Sequence, residues 1–420
     1  MSKATVGDEP PCTMSYVEFY SGIGGWTMAL QEAANRMPNK IRFDRLAALD
    51  HSDLCKSVLE HNFPSSSLPA GKKRKRSSPM AIERLTLRQA QEWNATIWVM
   101  SPPCQPHTRQ HSNQTQDLDD PRSKSFLHLC SLLNDMLDEN LPRLLLMENV
   151  VGFEKVRLSR KWRRSLCFCS CPFLVLDLST LNSLSLQSGS CKRWREVLSK
   201  RSYKVGHFHL TPTQVGIPND RPRYFCLAVQ EKEATKSEGQ LVSHEDAQQP
   251  PEIQTSVPSL GVPGAHEVEV GSLPQISEFL DAEPSSLPIS PKILESDTAW
   301  CFDIVTPEDQ RSACFTQAYG KFVRGTGSVL YNGGGQEMTR FRLTPPEQRR
   351  FDPTWAKGLD LHKNLRYFSG NEVARLMGFP KSGFTFPAAC TEKQRWKLLG
   401  NSLNVRVAAL VCEMGLKVIL

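Results

Sequence analysis

A chain of 420 residues, 39% apolar and 23% charged, is long enough for a sizeable core and is not disordered as a whole. It begins with a polar stretch lacking the apolar region of a secretory signal, and its longest run nearly free of charge, residues 166–186, is broken by Asp177 and Asn182, so neither a leader nor a membrane span is expected. Thirteen cysteines in such a chain favour reduced intracellular thiols over a disulfide framework, and the formal charge of +7 is unevenly spread: eleven basic residues within 72–76 and 155–164 leave the remainder four charges negative.

Residues 17–21 read as a buried strand running into Gly22-Ile23-Gly24-Gly25, after which 26–36 has helical spacing. A second apolar strand, 46–49, ends at Asp50, and the basic stretch 71–80 reads as a solvated loop, with nuclear import or contact with RNA phosphate as its functional readings. The third strand, 96–100, is halted by Ser101-Pro102-Pro103, the fourth, 144–147, by Glu148-Asn149, and the fifth is 224–229. Short apolar strands alternating with helical stretches predict a mostly parallel, doubly wound α/β sheet. Between 231 and 297 the chain carries 13 acidic residues against three lysines, and 231–271 reads as a flexible acidic connector. Apolar content resumes at 276–280, the stretch 330–361 is irregular, and 371–377 and 404–416 read as helices.

The glycine turn suits close backbone approach to a nucleotide-like ligand at a helix N-terminus, although it lacks the last glycine of the dinucleotide pattern. Asp50 is placed either to accept ribose hydroxyls or to cap a helix. Ser101-Pro102-Pro103-Cys104-Gln105-Pro106 is more specific, because three prolines stiffen a loop that holds one thiol at the carboxyl edge of the sheet. A buried filler cysteine needs no such cradle, whereas a nucleophile does. Glu148 is either a helix cap or an acid beside that thiol. Arg221 and Arg223 are either surface groups or guanidiniums that orient a polar base and lower a thiol pKa.

Taken in order, the motifs FYSGIGG, SPPCQP, ENV, RPR and GNSLNV resemble the S-adenosylmethionine-dependent cytosine-5 methyltransferases. Cys314-Phe315-Thr316, Gly325-Thr326-Gly327-Ser328, and the runs from Arg366-Tyr367-Phe368 to Met377-Gly378-Phe379-Pro380 and from Leu399 to Val405 are similar to the tRNA-aspartate branch, which modifies a cytosine in the anticodon loop. The resemblance covers about 16–420, inserts aside. It implies a class I methyltransferase fold with a Rossmann-like mixed sheet: a disordered start at 1–15, a catalytic domain at 16–230, a target-recognition region at 272–365 after the connector, and C-terminal helices at 366–420 that complete the catalytic domain.

By the same resemblance Cys104 adds to carbon 6 of cytosine, Glu148 holds and protonates ring nitrogen 3, and Arg221 and Arg223 orient the base and favour the thiolate. The cofactor, S-adenosylmethionine, would be met by Phe19, Ile23, Gly24, Gly25, Asp50, Ile82, Glu83, Ser101, Asn401 and Ser402. Cys314 and Thr316 would touch substrate, with a purely structural part as the competing reading for Cys314. The implied partner is tRNA, with DNA as the rival, in a monomer of the cytoplasm or nucleus that holds no metal.

Three features depart from the family pattern. His107 stands where an aromatic usually follows the proline loop, and Trp93-Asn94-Ala95-Thr96 lacks the usual acidic residue; both bear on cofactor affinity more than on reaction type. The larger departure is the insert 156–187, with five basic residues, Cys167-x-Cys169-x-Cys171 and a Leu/Ser-rich tract. Its cysteine spacing is not that of a structural zinc site. An in-frame retained intron accounts for it, since its removal rejoins two family-like segments, and a non-catalytic relative disabled by the insert is the other reading.

Overall fold

The computed structural model describes residues 11–38, 40–64, 81–103, 121–156, 186–234, 241, 247–283, 286–296, 298–333, 338, 342, 344, 346–350 and 360–420. Cys104, His107, the basic run 72–76 and residues 157–185 of the insert lie outside them. The strands are β1 (Cys12–Phe19), β2 (Ile41–Leu49), β3 (Ile97–Met100), β4 (Leu144–Val150), β5 (Lys155–Val156), β6 (Leu186–Gln187), β7 (Tyr203–Leu210), β8 (Arg223–Gln230), β9 (Ile253–Gln254), β10 (Asp303–Val305), β11 (Ser328–Tyr331) and β12 (Leu365–Arg366). The longer helices are α1 (Gly25–Arg36), α2 (Asp53–Asn62), α3 (Leu87–Trp93), α4 (Lys124–Asp135), α5 (Gly189–Lys200), α6 (Gly370–Leu376), α7 (Glu392–Gly400) and α8 (Val405–Ile419).

Seven strands form one sheet in the order β2-β1-β3-β4-β8-β7-β9. β2, β1, β3 and β4 are parallel, whereas β8 runs antiparallel to both β4 and β7, so the sheet is mixed. All five strands expected from the sequence are present. β7 was not expected, because Gly206, His207 and His209 break its apolar pattern; the buried His207 ring meets the Tyr224 hydroxyl at 2.7 Å, which satisfies a polar group inside the sheet. Within 231–271, read from sequence as connector, β9 pairs with β7, and Gln214 Nε2 donates to the carbonyls of Thr255 and Pro263.

Alternation along the central strands fills two layers. Ile97, Val99, Leu144 and Leu146 face the cluster that includes α1 and α8, while Trp98, Met100, Leu145 and Met147 face the one built from α3, α4 and α5. Burial on both faces explains why these strands read as continuous apolar runs. The C-terminal helix α8 packs on α1 and across β4 and β8. At Gly415 an added Cβ would come within 2.6 Å of Leu144 Cδ1, so the closeness of that packing depends on the missing side chain. β10, β11 and β12 form a separate small sheet with its own core of Phe302, Ile304, Val329, Tyr331 and Leu365. A buried two-pronged ion pair, Arg366 to Glu372 at 2.7 and 2.8 Å, ties it to α6.

The two ends of the insert meet. Lys155 pairs with Gln187 and Val156 with Leu186, and the Ser188 amide donates to the Glu154 carbonyl at 3.4 Å. Ser188 caps α5 by accepting from the Cys191 amide. The chain thus enters and leaves the insert at neighbouring points, 155 and 188. Among the described residues no helix is long and apolar enough to cross a membrane, and no group of three or more His, Cys, Asp or Glu side chains could hold a metal.

Candidate functional site

The carboxyl ends of β1, β3 and β4 share one edge of the sheet, and β1 has β2 on one side and β3 on the other. In open α/β sheets such a point opens a crevice. β1 leaves the sheet through Tyr20, Gly22 and Gly24, all at positive φ, and the Gly24 amide closes the turn on the Ser21 carbonyl. Gly24 cannot be replaced without strain: its φ is +88°, and an added Cβ would lie 2.7 Å from Leu59 Cδ1 on α2. Gly25 abuts Leu403 and the Ser402 hydroxyl, which brings the C-terminal turn at Asn401 and Ser402 against the first glycine turn. Around Gly22, by contrast, an added Cβ would meet nothing nearer than 4.0 Å.

Asp50 ties the edge together, accepting from the Gly22 amide and from the Ser52 amide at 2.9 Å each. It is Ser52, not Asp50, whose side chain caps α2. Ser101 accepts from the Trp26 indole at 3.0 Å, and the Pro102 carbonyl accepts from the Asn149 amide, which locks the ends of β3 and β4 together. Phe19 and Ile23 are buried, Phe19 packing edge-on against Trp98, so they form the floor under the turn. Ile82 is buried and Glu83 exposed on a short turn beside them.

The sequence reading passed over Glu18, an acid between Val17 and Phe19 in an otherwise apolar strand. It is fully buried and accepts from the Trp26 amide at 3.1 Å and the Thr27 hydroxyl at 2.6 Å, holding the first turn of α1. Burial pushes its carboxyl up to about 7, against the Thr27 hydrogen bond and the Arg45 charge. Tyr16 on its own strand, Arg45 on β2, Thr27 on α1 and Cys412 on α8 are the titratable or polar groups around it. The raised value means that the folded state favours the protonated form. Stability from this group is therefore full below the ordinary value of 4.5 and is lost as pH rises through about 7. Between pH 5 and pH 8 the native chain is expected to lose about 2–3 kcal/mol relative to Glu18→Gln, which keeps the shape and cannot ionise. Urea unfolding of both proteins at the two pH values measures this, and a gap that does not change with pH would rule it out.

The fourth strand runs on to Val150 instead of halting at Glu148-Asn149; Glu148, inside it, is 8% exposed, and across the β4–β8 ladder Arg223 Nε reaches its Oε1 at 3.3 Å. Arg223 Nη2 lies 3.9 Å from Cys314 Sγ, and Arg221 Nη1 lies 3.3 Å from the same sulfur. Burial pushes the Cys314 thiol up, but the two guanidiniums together outweigh it and the net direction is down. Among the described residues, then, the thiol facing the arginine pair is Cys314. The two arginines differ in use. The Arg221 guanidinium is buried and donates to the carbonyls of Phe315 at 2.6 Å, Gly400 at 3.0 Å and Ser402 at 2.5 Å, so it staples three segments, whereas Arg223 faces the acid. The Thr316 hydroxyl accepts from the Ala318 amide, and its backbone runs so close to Gly400 that an added Cβ there would fall 2.1 Å from the Thr316 carbonyl carbon. A glycine directly before Asn401-Ser402 was the sequence signal for that approach.

The chain as a whole has similar counterparts among known proteins. The family described as C-5 cytosine-specific DNA methylase matches residues 14–166 and 185–415, and its one break falls inside the insert. The chain is 30% identical to the human tRNA (cytosine(38)-C(5))-methyltransferase, across 94% of this chain and 96% of the relative. It is 28% identical to a Dictyostelium discoideum DNA (cytosine-5)-methyltransferase, across 94% and 92%. The crystal structure of a Spodoptera frugiperda DNMT2 mutant superposes with a TM-score of 0.68 at 28% identity, covering 97% of this chain and 99% of that one. With the match running through all seven strands of the main sheet and through the edge that carries Glu148 and Arg223, the chain belongs to the C-5 cytosine-specific methylase family.

Proposed function

We propose that this protein transfers a methyl group from S-adenosylmethionine to carbon 5 of a cytosine in tRNA, in the anticodon loop of the aspartate tRNA, through a covalent cysteine adduct. The observation that carries the reading is the end-to-end similarity to the human tRNA (cytosine(38)-C(5))-methyltransferase. The crevice residues fit the cofactor: space is open around Gly22, the half-buried Asp50 carboxylate stands at the end of β2, and Ser101 and the Asn401-Ser402 turn face the same edge. When bound, S-adenosylmethionine supplies an electrophilic methyl group on a sulfonium.

Cytosine is not nucleophilic at carbon 5 until a nucleophile adds at carbon 6. Cys104, two residues beyond the Pro102 carbonyl that Asn149 holds, makes that addition as thiolate. Glu148 keeps a proton at ring nitrogen 3, so the electron pair released by addition does not build negative charge on the ring. Carbon 5 accepts the methyl group, then loses its proton as the Cys104 sulfur leaves with its electron pair, giving 5-methylcytosine. Arg223 holds Glu148 in place, and Arg221 holds the segment bearing Cys314 against the Gly400–Ser402 turn. The target base must leave its stack to enter the crevice, which is easiest in an unpaired loop.

Methyl incorporation from labelled S-adenosylmethionine into unmodified tRNA, beside duplex DNA, tests the reading. Transfer to tRNA that disappears in Cys104→Ala is expected. A preference for DNA would favour the second reading, which the Dictyostelium relative's name supports. The same assay on a chain lacking 156–187 addresses the insert: the Ser188 amide already donates to the Glu154 carbonyl, so joining 155 to 188 predicts a folded protein at least as active as the full chain, and activity only in the shortened chain would mark the full one as disabled.

A further inference from the structure

Four large apolar side chains are exposed among the described residues, and the most exposed of them, at 60%, is also the only aromatic one: Phe322. It stands on the loop 318–326, one residue after Cys314-Phe315-Thr316. This loop does not lack room for aromatic rings. Phe315 and Tyr319 are buried, packed edge-on at 5.0 Å, with Phe368 and Trp396 around them. Phe322 is instead held outward by its backbone. Gly320, at φ +74°, turns tightly under Trp396, the amides of Lys321 and Phe322 both donate to the Ala318 carbonyl, and the Thr326 hydroxyl donates to the Phe322 carbonyl at 2.7 Å. The outward ring leaves an apolar face open to a partner, whose burial would be favourable.

Its surroundings state the chemistry of that partner. The Lys321 ammonium lies 5.2 Å over the ring, Arg324 is exposed two residues on, and residues 314–327 contain no acid. An aromatic face flanked by two cations is the arrangement that stacks an unpaired nucleobase while meeting its phosphates. The platform is continuous with the site. Thr316 N donates to Thr326 O at 2.9 Å, Thr326 holds Phe322, and Cys314 touches Arg221 and Arg223, so by the 3.8 Å spacing of successive Cα atoms Phe322 stands within about 20 Å of Cys314.

We propose that the loop 318–326 is a nucleotide-holding platform, in which Phe322 stacks on an unpaired base next to the target cytosine and Lys321 and Arg324 meet the adjoining phosphates. The inference rests on the RNA substrate proposed above and adds a site for its flanking nucleotide. Affinity for an unmodified tRNA transcript, read by fluorescence anisotropy with S-adenosylhomocysteine present, tests it alongside methyl transfer. Phe322→Ala weakens RNA binding roughly five- to a hundredfold and raises the KM for RNA correspondingly, while Tm and the KM for S-adenosylmethionine stay put. Phe322→Trp retains binding, and Lys321→Ala or Arg324→Ala each lowers the salt slope of log K by about 0.7. Native-like binding by Phe322→Ala, in a chain that does methylate tRNA, overturns the platform and leaves the RNA reading intact. A native chain that methylates duplex DNA and not tRNA overturns both.

Discussion

Glu148→Gln is expected to lower the single-turnover rate of methyl transfer by about 10²- to 10⁴-fold, the range that a positioned proton donor or acceptor supplies. The substitution keeps the side chain's shape at the end of β4 and removes the acid that Arg223 reaches at 3.3 Å. The backbone of Glu148 is fixed by the β4–β8 ladder, where it pairs with Phe225, so the change falls on the chemistry and not on the fold. Affinity for nucleic acid should change far less than the rate, because in the proposed mechanism the proton at ring nitrogen 3 matters only as the nucleophile adds. Rapid-quench methyl transfer at saturating cofactor and RNA, with Tm as the control for folding, measures the effect. A rate within tenfold of the native protein would remove Glu148 from the mechanism.

The second large effect is on stability. Arg221→Ala should cost about 3–5 kcal/mol, the range seen when one partner of a buried charged network is removed. The carbonyls of Phe315, Gly400 and Ser402 would each lose a charged donor, the first at a buried position and the other two at partly buried ones. Arg221→Lys should recover only part of this, because one ammonium on a flexible stem cannot serve three carbonyls and a thiol that a planar fork serves together. Since Ser402 abuts Gly25, loosening this staple should also weaken S-adenosylmethionine binding. Urea unfolding and calorimetric titration check both consequences, and a loss below 1 kcal/mol for the alanine variant would show that the network is dispensable.

Local pattern made the sheet legible. The strands ending at Phe19, Met100 and Val150 carry apolar runs because both faces are covered, the edge strand β2 is apolar only in its last residues, and the strand ends lie beside the turn and acid motifs at Gly22, Asp50, Ser101 and Glu148. The helices at 26–36, 371–377 and 404–416 likewise fall within about three residues of their observed bounds. β7 was hidden because polar histidines and a glycine interrupt its alternation, and their compensation comes from a tyrosine on the neighbouring strand. β9 was hidden because two residues in an acidic, proline-rich stretch carry no period of their own.

The sequence by itself determined the family, through the order of its motifs, and it placed an acid near the end of β4 and the glycines at the turns. Only the tertiary structure decided which side chains meet. Arg221 finds the Cys314 sulfur 93 residues away and the Ser402 carbonyl 181 residues away. The structure likewise showed that the ends of the insert pair and that Phe322 is turned outward while Phe315 and Tyr319 are buried. Periodicity records which face of one element is apolar, whereas hydrogen bonds and charge pairs between distant segments depend on how elements stack, and they leave no repeating trace along the chain.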